Sequence, residues 1–312
     1  LIEELSHLRA REIPTPKTYR DAMVGDFAKY WVEAIEQELD NLKNFKVFKW
    51  VDREPGQHLI DSRWVFKAKT NDKGQCERFK ARLVAKGYKQ IYGVDYCDSS
   101  SPVGKLDTLR VLVAEAAQVG NDVAFLDIKS AYLTADLQVK QFMEVPKGVT
   151  PPKPDQVLQI DKGLYGLVQG ARVFHHDFRR KLLSWGFCAS AADPCCFVKH
   201  TGGQVMRLLL FVDDMAIFTQ RSKAGAKMKQ DLIDQVEKEY KYSCSDDDDV
   251  YLGMAVRRVG QNAYFLTQGR YVDDLSLRFG TAGCRPTFTT TNSEKISTKD
   301  CYDGEPSKNP HG

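Results

Sequence analysis

Two adjacent aspartates, Asp213 and Asp214, stand inside the apolar run 208–218, where a pair of carboxylates is costly unless a cation meets it. The flanking segments 205–212 and 215–219 read as short strands joined by a tight turn, which is expected to push both acids out at its tip. A second apolar segment, 123–132, carries Asp127. If these strands are neighbours, three carboxylates from two strands can hold two divalent ions. In-line phosphoryl transfer uses two metals about 3.5–4 Å apart, one activating the attacking hydroxyl and one stabilising the leaving oxygen. Hard oxygen donors suit magnesium. An Asp-Asp pair by itself most often marks a solvated turn; the apolar flanks and the partner strand argue for the metal.

Other elements must position these acids. Leu109, Leu112, Val113 and Ala116 share one face of a helix expected over 108–118, stopped by Gly120 and Asn121 just before the Asp127 strand. Trp31, Ile35, Leu39 and Leu42 predict a helix over 27–43. Strands are expected at 46–51, 63–70 and 78–88, the last two joined by a turn at 71–74. Phe174, Phe178, Leu182 and Trp185 predict a helix over 171–185, and Met228, Leu232, Val236 and Tyr240 another. The acidic run 246–249 reads as a solvated loop before a strand at 251–259. A last helix is expected over 268–279, and from 285 onward the polar composition cannot support a packed element.

The 312 residues are 42% hydrophobic, enough for one large or two ordinary cores, and this excludes a disordered or fibrous chain. A net charge of +3 is too small to diagnose a nucleic-acid partner, so the distribution matters more. Between positions 63 and 89 nine Lys or Arg face only Asp72 and Glu77, a surplus of seven positive charges on one expected hairpin. The eight cysteines have no Cys-x-x-Cys spacing, which is read as reduced thiols in an intracellular protein. His175-His176 lacks a companion cluster at zinc spacing. No apolar run is long enough to span a membrane. With Leu1 first and Met23 the first methionine, the chain is expected to be a piece of a longer translation product.

Eight stretches, in order, carry a resemblance: Trp31-x-x-Ala34-x-x-x-Glu38, Arg63-Trp64-Val65-Phe66-Lys67, Lys80-Ala81-Arg82-Leu83-Val84-Ala85-Lys86-Gly87-Tyr88, Ser101-Pro102-Val103, Asp127-Ile128-Lys129-Ser130-Ala131-Tyr132-Leu133, Leu164-Tyr165-Gly166-Leu167-x-Gln169, Phe211-Val212-Asp213-Asp214-Met215 and Tyr251-Leu252-Gly253. Together they resemble the reverse transcriptase of Ty1/copia-type retrotransposons over about residues 22–282. Departures from the family pattern include Phe211 in place of Tyr, Val168 in place of Lys, and the acidic run where Asp-Leu-Gly is usual. None removes a metal ligand.

The resemblance implies an α+β right-hand polymerase fold with fingers, palm and partial thumb, the palm an antiparallel sheet backed by helices. Its divisions would be a lead-in and helix at 1–44, fingers at 45–107, palm at 108–132, a fingers–palm junction at 133–170, palm at 171–262, partial thumb at 263–284, and a polar tail or linker at 285–312. It implies Asp127 and Asp213 as bridging ligands of two Mg²⁺ ions, or Mn²⁺, with Asp214 accessory and Ile128 in the same ligand set. Ser130 and Ala131 resemble residues whose backbone N–H groups face the incoming triphosphate, and Tyr132 an aromatic gate under the sugar. Gln169 resembles a nucleotide and template contact, and Lys80, Arg82 and Lys86 resemble phosphate-holding residues of the fingers. Implied partners are an RNA template, a DNA primer, dNTPs and the other Pol modules (integrase, RNase H, protease), with no membrane. The residues after Leu275 are expected to be too few and too polar to fold an RNase H. The implied location is cytoplasmic, in a virus-like particle. The rival reading is a decayed copy that only binds nucleic acid.

Overall fold

The computed structural model describes residues 13–70, 75–246, 248–281 and 283–284; the turn expected at 71–74 and the tail expected from 285 lie outside them. The described residues up to Thr267 form one compact unit, and a second unit begins at Gln268.

The first unit opens with α1 (Tyr19–Ala22), where Thr18 and Asp21 exchange a capping box. In α2 (Ala28–Asn44) Trp31, Ala34, Ile35, Glu38 and Leu42 are buried at three- and four-residue spacing. Strand β1 (Phe48–Asp52) follows, then the hairpin β2 (Ser62–Thr70) and β3 (Cys76–Ala85). Trp64 and Phe66 on β2 pair with Leu83 and Ala81 on β3 and are buried with the apolar stripe of α2. Alternate positions of both strands therefore face the opposite way. Strand β3 ends at Ala85, short of the expected 88. Two residues on, a Cβ on Gly87 would stand 2.1 Å from the Gly166 carbonyl oxygen, so the chain leaves the hairpin against that backbone.

Helix α3 (Leu106–Val119) ends at Gly120 in the left-handed region and delivers β4 (Asp122–Ile128). Ser130, at φ 56°, then turns the chain into a 3₁₀ turn, Ala131–Thr134, so the expected strand stops at 128. Strands β5 (Asp136–Met143) and β6 (Gln156–Lys162) complete an antiparallel sheet of order β1-β6-β5. Next come α4 (Gly170–Ser184), β7 (Cys188–Ala189), β8 (Cys196–Thr201), β9 (Gln204–Phe211), β10 (Asp214–Thr219) and α5 (Lys223–Glu237). Strands β11 (Tyr242–Asp246), β12 (Asp248–Tyr251), β13 (Met254–Gly260) and β14 (Ala263–Thr267) close the unit.

The central sheet is antiparallel, in the order β11-β4-β10-β9-β8-β7. On one face Leu126, Leu208, Leu210, Met215 and Ile217 pack with Phe174 and Phe178 of α4 and Leu232 and Val236 of α5. On the other, Phe125, Leu209, Ala216 and Phe218 pack with Leu109 and Leu112 of α3 and with Tyr251, Met254 and Val256. Both faces are covered, which is why 208–212 and 215–218 are continuously apolar instead of alternating. The chain is thus a mixed α and β protein built on antiparallel sheets.

The acidic run is not the loop that was expected. Asp246 ends β11, and Asp248 and Asp249 open β12, whose register pairs Asp249 with Val256 and Val250 with Ala255. Backbone pairing to β13, anchored by buried Tyr251, outweighs the poor strand preference of Asp. In the second unit, α6 (Gly269–Arg278) occupies most of the span expected for a helix at 268–279.

Candidate active site

Strand β10 lies between β4 and β9, and Asp214 is in register with both Asp127 and Phe211. Directly opposed residues project from the same side of a sheet, so Asp127 and Asp214 are neighbours. The turn is two residues long, Val212 and Asp213, with Val212 at φ 58°, a conformation unusual for a β-branched residue. Both acids were expected at the tip. Only Asp213 is there, because the Phe211 and Asp214 pairing already begins β10. The Asp213 carbonyl accepts the Ile128 N–H at 2.9 Å, tying the turn to the end of β4. Ile128 itself is 1% exposed and offers a ligand only through its backbone.

Burial and the Asp127 charge raise the Asp213 carboxyl above its ordinary range. Asp214 is pushed up to about 6 by burial and by Asp213, Asp127 and Asp249. Lys129 works against both shifts; its Nζ donates to Asp127 Oδ2 and, at 2.8 Å, to Ser243 Oγ. A cleft of about 230 Å³ beside these acids is lined by Asp127, Asp214, Ser243, Asp249 and Tyr251 among others. Among the described residues no three His, Cys, Asp or Glu side chains form a ready metal cage. The donor chemistry nonetheless fits a hard divalent ion: the opposed carboxylates repel one another, and a bound cation relieves that repulsion.

One consequence concerns stability without metal. Asp214 holds its proton more tightly folded than unfolded, so stability falls as pH rises through the window from about 4 to 6. In EDTA, Asp214→Asn is expected to gain about 1 kcal/mol over wild type above this window, after discount for partial exposure, and nothing below it. Urea unfolding at both ends of the range measures this; an equal gain at both pH values removes the ionic explanation.

Around the acids, Ser130 Oγ accepts from Asn41 Nδ2 of α2 at 3.0 Å, and Ala131 is buried. Tyr132 packs edge-on against Tyr165 at 5.4 Å and lies 6.5 Å from Phe174. Burial and the Asp213 charge raise its hydroxyl pKa, and the ring packs at the edge of the core.

Gln169 precedes α4 and is buried. Its Oε1 accepts from Gln90 Nε2 at 3.0 Å, and Gln90 Nε2 also reaches Gln141 Oε1 at 2.9 Å. The Gln141 amide donates to the Asp95 carbonyl at 2.6 Å. Gln169 is therefore engaged by a closed amide network, which its place in the sequence did not reveal.

The basic hairpin presents cations at the positions that alternate with buried Trp64, Phe66, Ala81 and Leu83. Lys67 is opposite Lys80, Lys69 opposite Arg78, and Arg82 opposite Val65. Like charges directly across a strand pair are unfavourable. Burial, then Arg82, Arg78 and Lys69, push Lys80 down to about 8. Lys69 is lowered by burial and by Lys67, Arg82 and Arg78, and Asp127 partly offsets this. The Arg82 guanidinium lies 4.5 Å over the Tyr165 ring, its Nε buried without a hydrogen-bond partner, and its charge acts on Asp213. Glu38, buried in α2, accepts the Leu83 N–H at 3.2 Å and offsets Lys80 and Arg82. Lys86 does not join this face: with Lys89 it is paired to Asp61, because β3 has already ended. Sequence reasoning singled out Lys86 and passed over Lys67, Lys69 and Arg78, which the period-two alternation of β2 and β3 could have found.

A family model described as reverse transcriptase (RNA-dependent DNA polymerase) matches residues 45–293. The chain is 30% identical over 290 residues to the retrovirus-related Pol polyprotein from transposon TNT 1-94 of Nicotiana tabacum, covering 92% of this chain and 22% of that one. It is 32% identical over 278 residues to the Pol polyprotein from transposon RE2 of Arabidopsis thaliana, covering 88% and 18%. It thus spans about a fifth of the length of these relatives. Among solved structures, a foamy viral protease-reverse transcriptase in complex with an RNA/DNA hybrid aligns with a TM-score of 0.41 at 11% identity, over 80% of this chain and 28% of that one.

Proposed function

The chain belongs to the reverse transcriptase family of Ty1/copia-type retrotransposon Pol polyproteins, and from that premise we propose that it is an RNA-directed DNA polymerase, adding dNMP units to a primer 3′-hydroxyl on an RNA template. The observation that carries the reading is the opposition of two charge sets. Asp127, Asp213 and Asp214 cluster at one end of the central sheet, and Arg82 and Lys69, from the cationic face of β2 and β3, act on Asp213 and Asp127. Acids for divalent cations beside cations for phosphates suit nucleotidyl transfer.

In this reading residues 45–107 are fingers, 108–132 and 171–262 palm, 133–170 their junction and 263–284 part of a thumb, with 1–44 a lead-in. Asp127 and Asp213 would hold two Mg²⁺ or Mn²⁺ ions, with Asp214 beside them and Ile128 contributing its carbonyl. When bound, such ions lower the pKa of the attacking hydroxyl and stabilise charge on the leaving oxygen. Arg82, Lys80, Lys67 and Lys69 hold phosphates and relieve their mutual repulsion in doing so. Ser130 and Ala131 would offer their backbone N–H groups to the triphosphate, and Tyr132 would limit the space under the sugar. Gln169 reaches template or nucleotide by exchanging its Gln90 bond. RNA, primer and dNTPs are the partners, with the other Pol modules in the full polyprotein.

Extension of a labelled DNA primer on RNA with Mg²⁺ tests the reading, and binding without extension would return it to a nucleic-acid-binding remnant. The hairpin has its own test. Lys80→Ala with Arg82→Ala is expected to flatten the dependence of log Kd on log salt by roughly one unit for each phosphate no longer neutralised. Lys86→Ala, already paired to Asp61, should leave the slope unchanged. Fluorescence anisotropy across a KCl series measures both, and equal slopes in all variants remove the hairpin from the interface.

A further inference from the structure

We propose that Lys129 is a built-in counter-ion of the aspartate cluster, which competes with divalent cations for Asp127 and so sets the metal concentration at which the site loads. The inference rests on the polymerase reading of the site.

The Lys129 ammonium bonds Asp127 Oδ2 and bridges it to Ser243 Oγ at 2.8 Å. Its position is not accidental to a flexible stem. The Lys129 N–H donates to the Lys241 carbonyl at 2.7 Å, which anchors its backbone beside the start of β11. Ser243 is in register with Asp127 on one flank of β4 and Asp214 on the other. Lys129 thus closes a row of Asp214, Asp127 and Ser243 running across three strands. Its charge also reaches Asp213 and Asp214, and around Asp214 it offsets the carboxylates of Asp213, Asp127 and Asp249.

The pair is half-exposed, with side-chain exposures of 47% for Lys129 and 38% for Asp127. Such a pair is weak, strong enough to order the carboxylate and weak enough to be exchanged. A divalent ion brings twice the charge and takes several oxygens at once, so it displaces the ammonium. A lysine stem can then swing to Ser243 or to solvent without disturbing the core. Until that exchange, the ammonium occupies Asp127 Oδ2 and repels an incoming cation. Removing it should tighten metal binding, whereas a side chain that merely orients Asp127 would loosen binding when removed.

The test is Mn²⁺ titration of the full chain without nucleic acid, with free Mn²⁺ read by electron paramagnetic resonance. Lys129→Met is expected to half-saturate at about fivefold lower Mn²⁺ than wild type, a change of about 1 kcal/mol. Lys129→Arg should stay near wild type, and Asp213→Asn should lose most of the binding. Lys129→Gln repeats the Met substitution with a polar side chain, and melting curves in EDTA report that each variant is folded. Met and Gln variants that bind Mn²⁺ no tighter than wild type, while Asp213→Asn still loses it, overturn the counter-ion role and leave the polymerase reading standing. Unchanged binding in Asp213→Asn removes the metal assignment, and the inference with it.

Discussion

Asp213→Asn is expected to stop primer extension almost completely, by roughly a thousandfold or more, or about 4 kcal/mol of transition-state stabilisation. The substitution is close to isosteric and keeps the backbone carbonyl that accepts the Ile128 N–H. It removes a half-buried negative charge whose pKa is already raised by burial and by Asp127, so the fold gains slightly where catalysis loses. Duplex binding, which we assign to the cations of β2 and β3, should change little. Single-turnover extension at saturating duplex separates these effects. Extension within tenfold of wild type would falsify the role given to Asp213.

Gly166→Ala is expected to cost about 3 kcal/mol of stability or more. Gly166 sits at φ 87°, and a Cβ there would stand 2.2 Å from the Ala85 carbonyl oxygen and 2.6 Å from Val84 Cγ1. The first obstacle is backbone, held in place because Ala85 N–H donates to the Tyr165 carbonyl at 2.7 Å. Neither side can yield alone, since Gly87 approaches the Gly166 carbonyl just as closely. Pushing this turn off β3 also displaces Tyr165, the ring under Arg82 and against Tyr132. The variant should therefore lose stability and, at temperatures where it is still folded, bind nucleotide poorly. Urea unfolding and dNTP titration measure the two effects; a loss below 1 kcal/mol means the turn relaxes.

Much of the framework was legible because its signals are local. Trp31, Ile35 and Leu42 placed α2, and Phe174, Phe178 and Leu182 placed α4, because apolar spacing at 3.6 residues requires no knowledge of what the stripe meets. Gly120 marked the end of α3 by the same logic. The acidic run misled for the opposite reason. Its strand character comes from pairing of Asp246 with β4 and of Asp248 and Asp249 with β13, which no feature of four consecutive aspartates announces.

By itself the sequence determined the residue types available for chemistry: Asp127 near the end of an apolar strand, the adjacent Asp213 and Asp214 between two apolar segments, and a surplus of cations between positions 63 and 89. Those follow from composition and short-range period. Only the tertiary structure decided how they meet. Strand register put Asp214 across from Asp127 and left Asp213 in the turn; the end of β3 sent Lys86 to Asp61 while Arg82 stayed over Tyr165; and Gln90 and Gln141, from distant segments, closed Gln169 into an amide network. The partner of Lys129, Ser243, lies 114 positions along the chain. Charges and hydrogen bonds act over a few ångströms of space, and which side chains share that space depends on register and packing between distant segments.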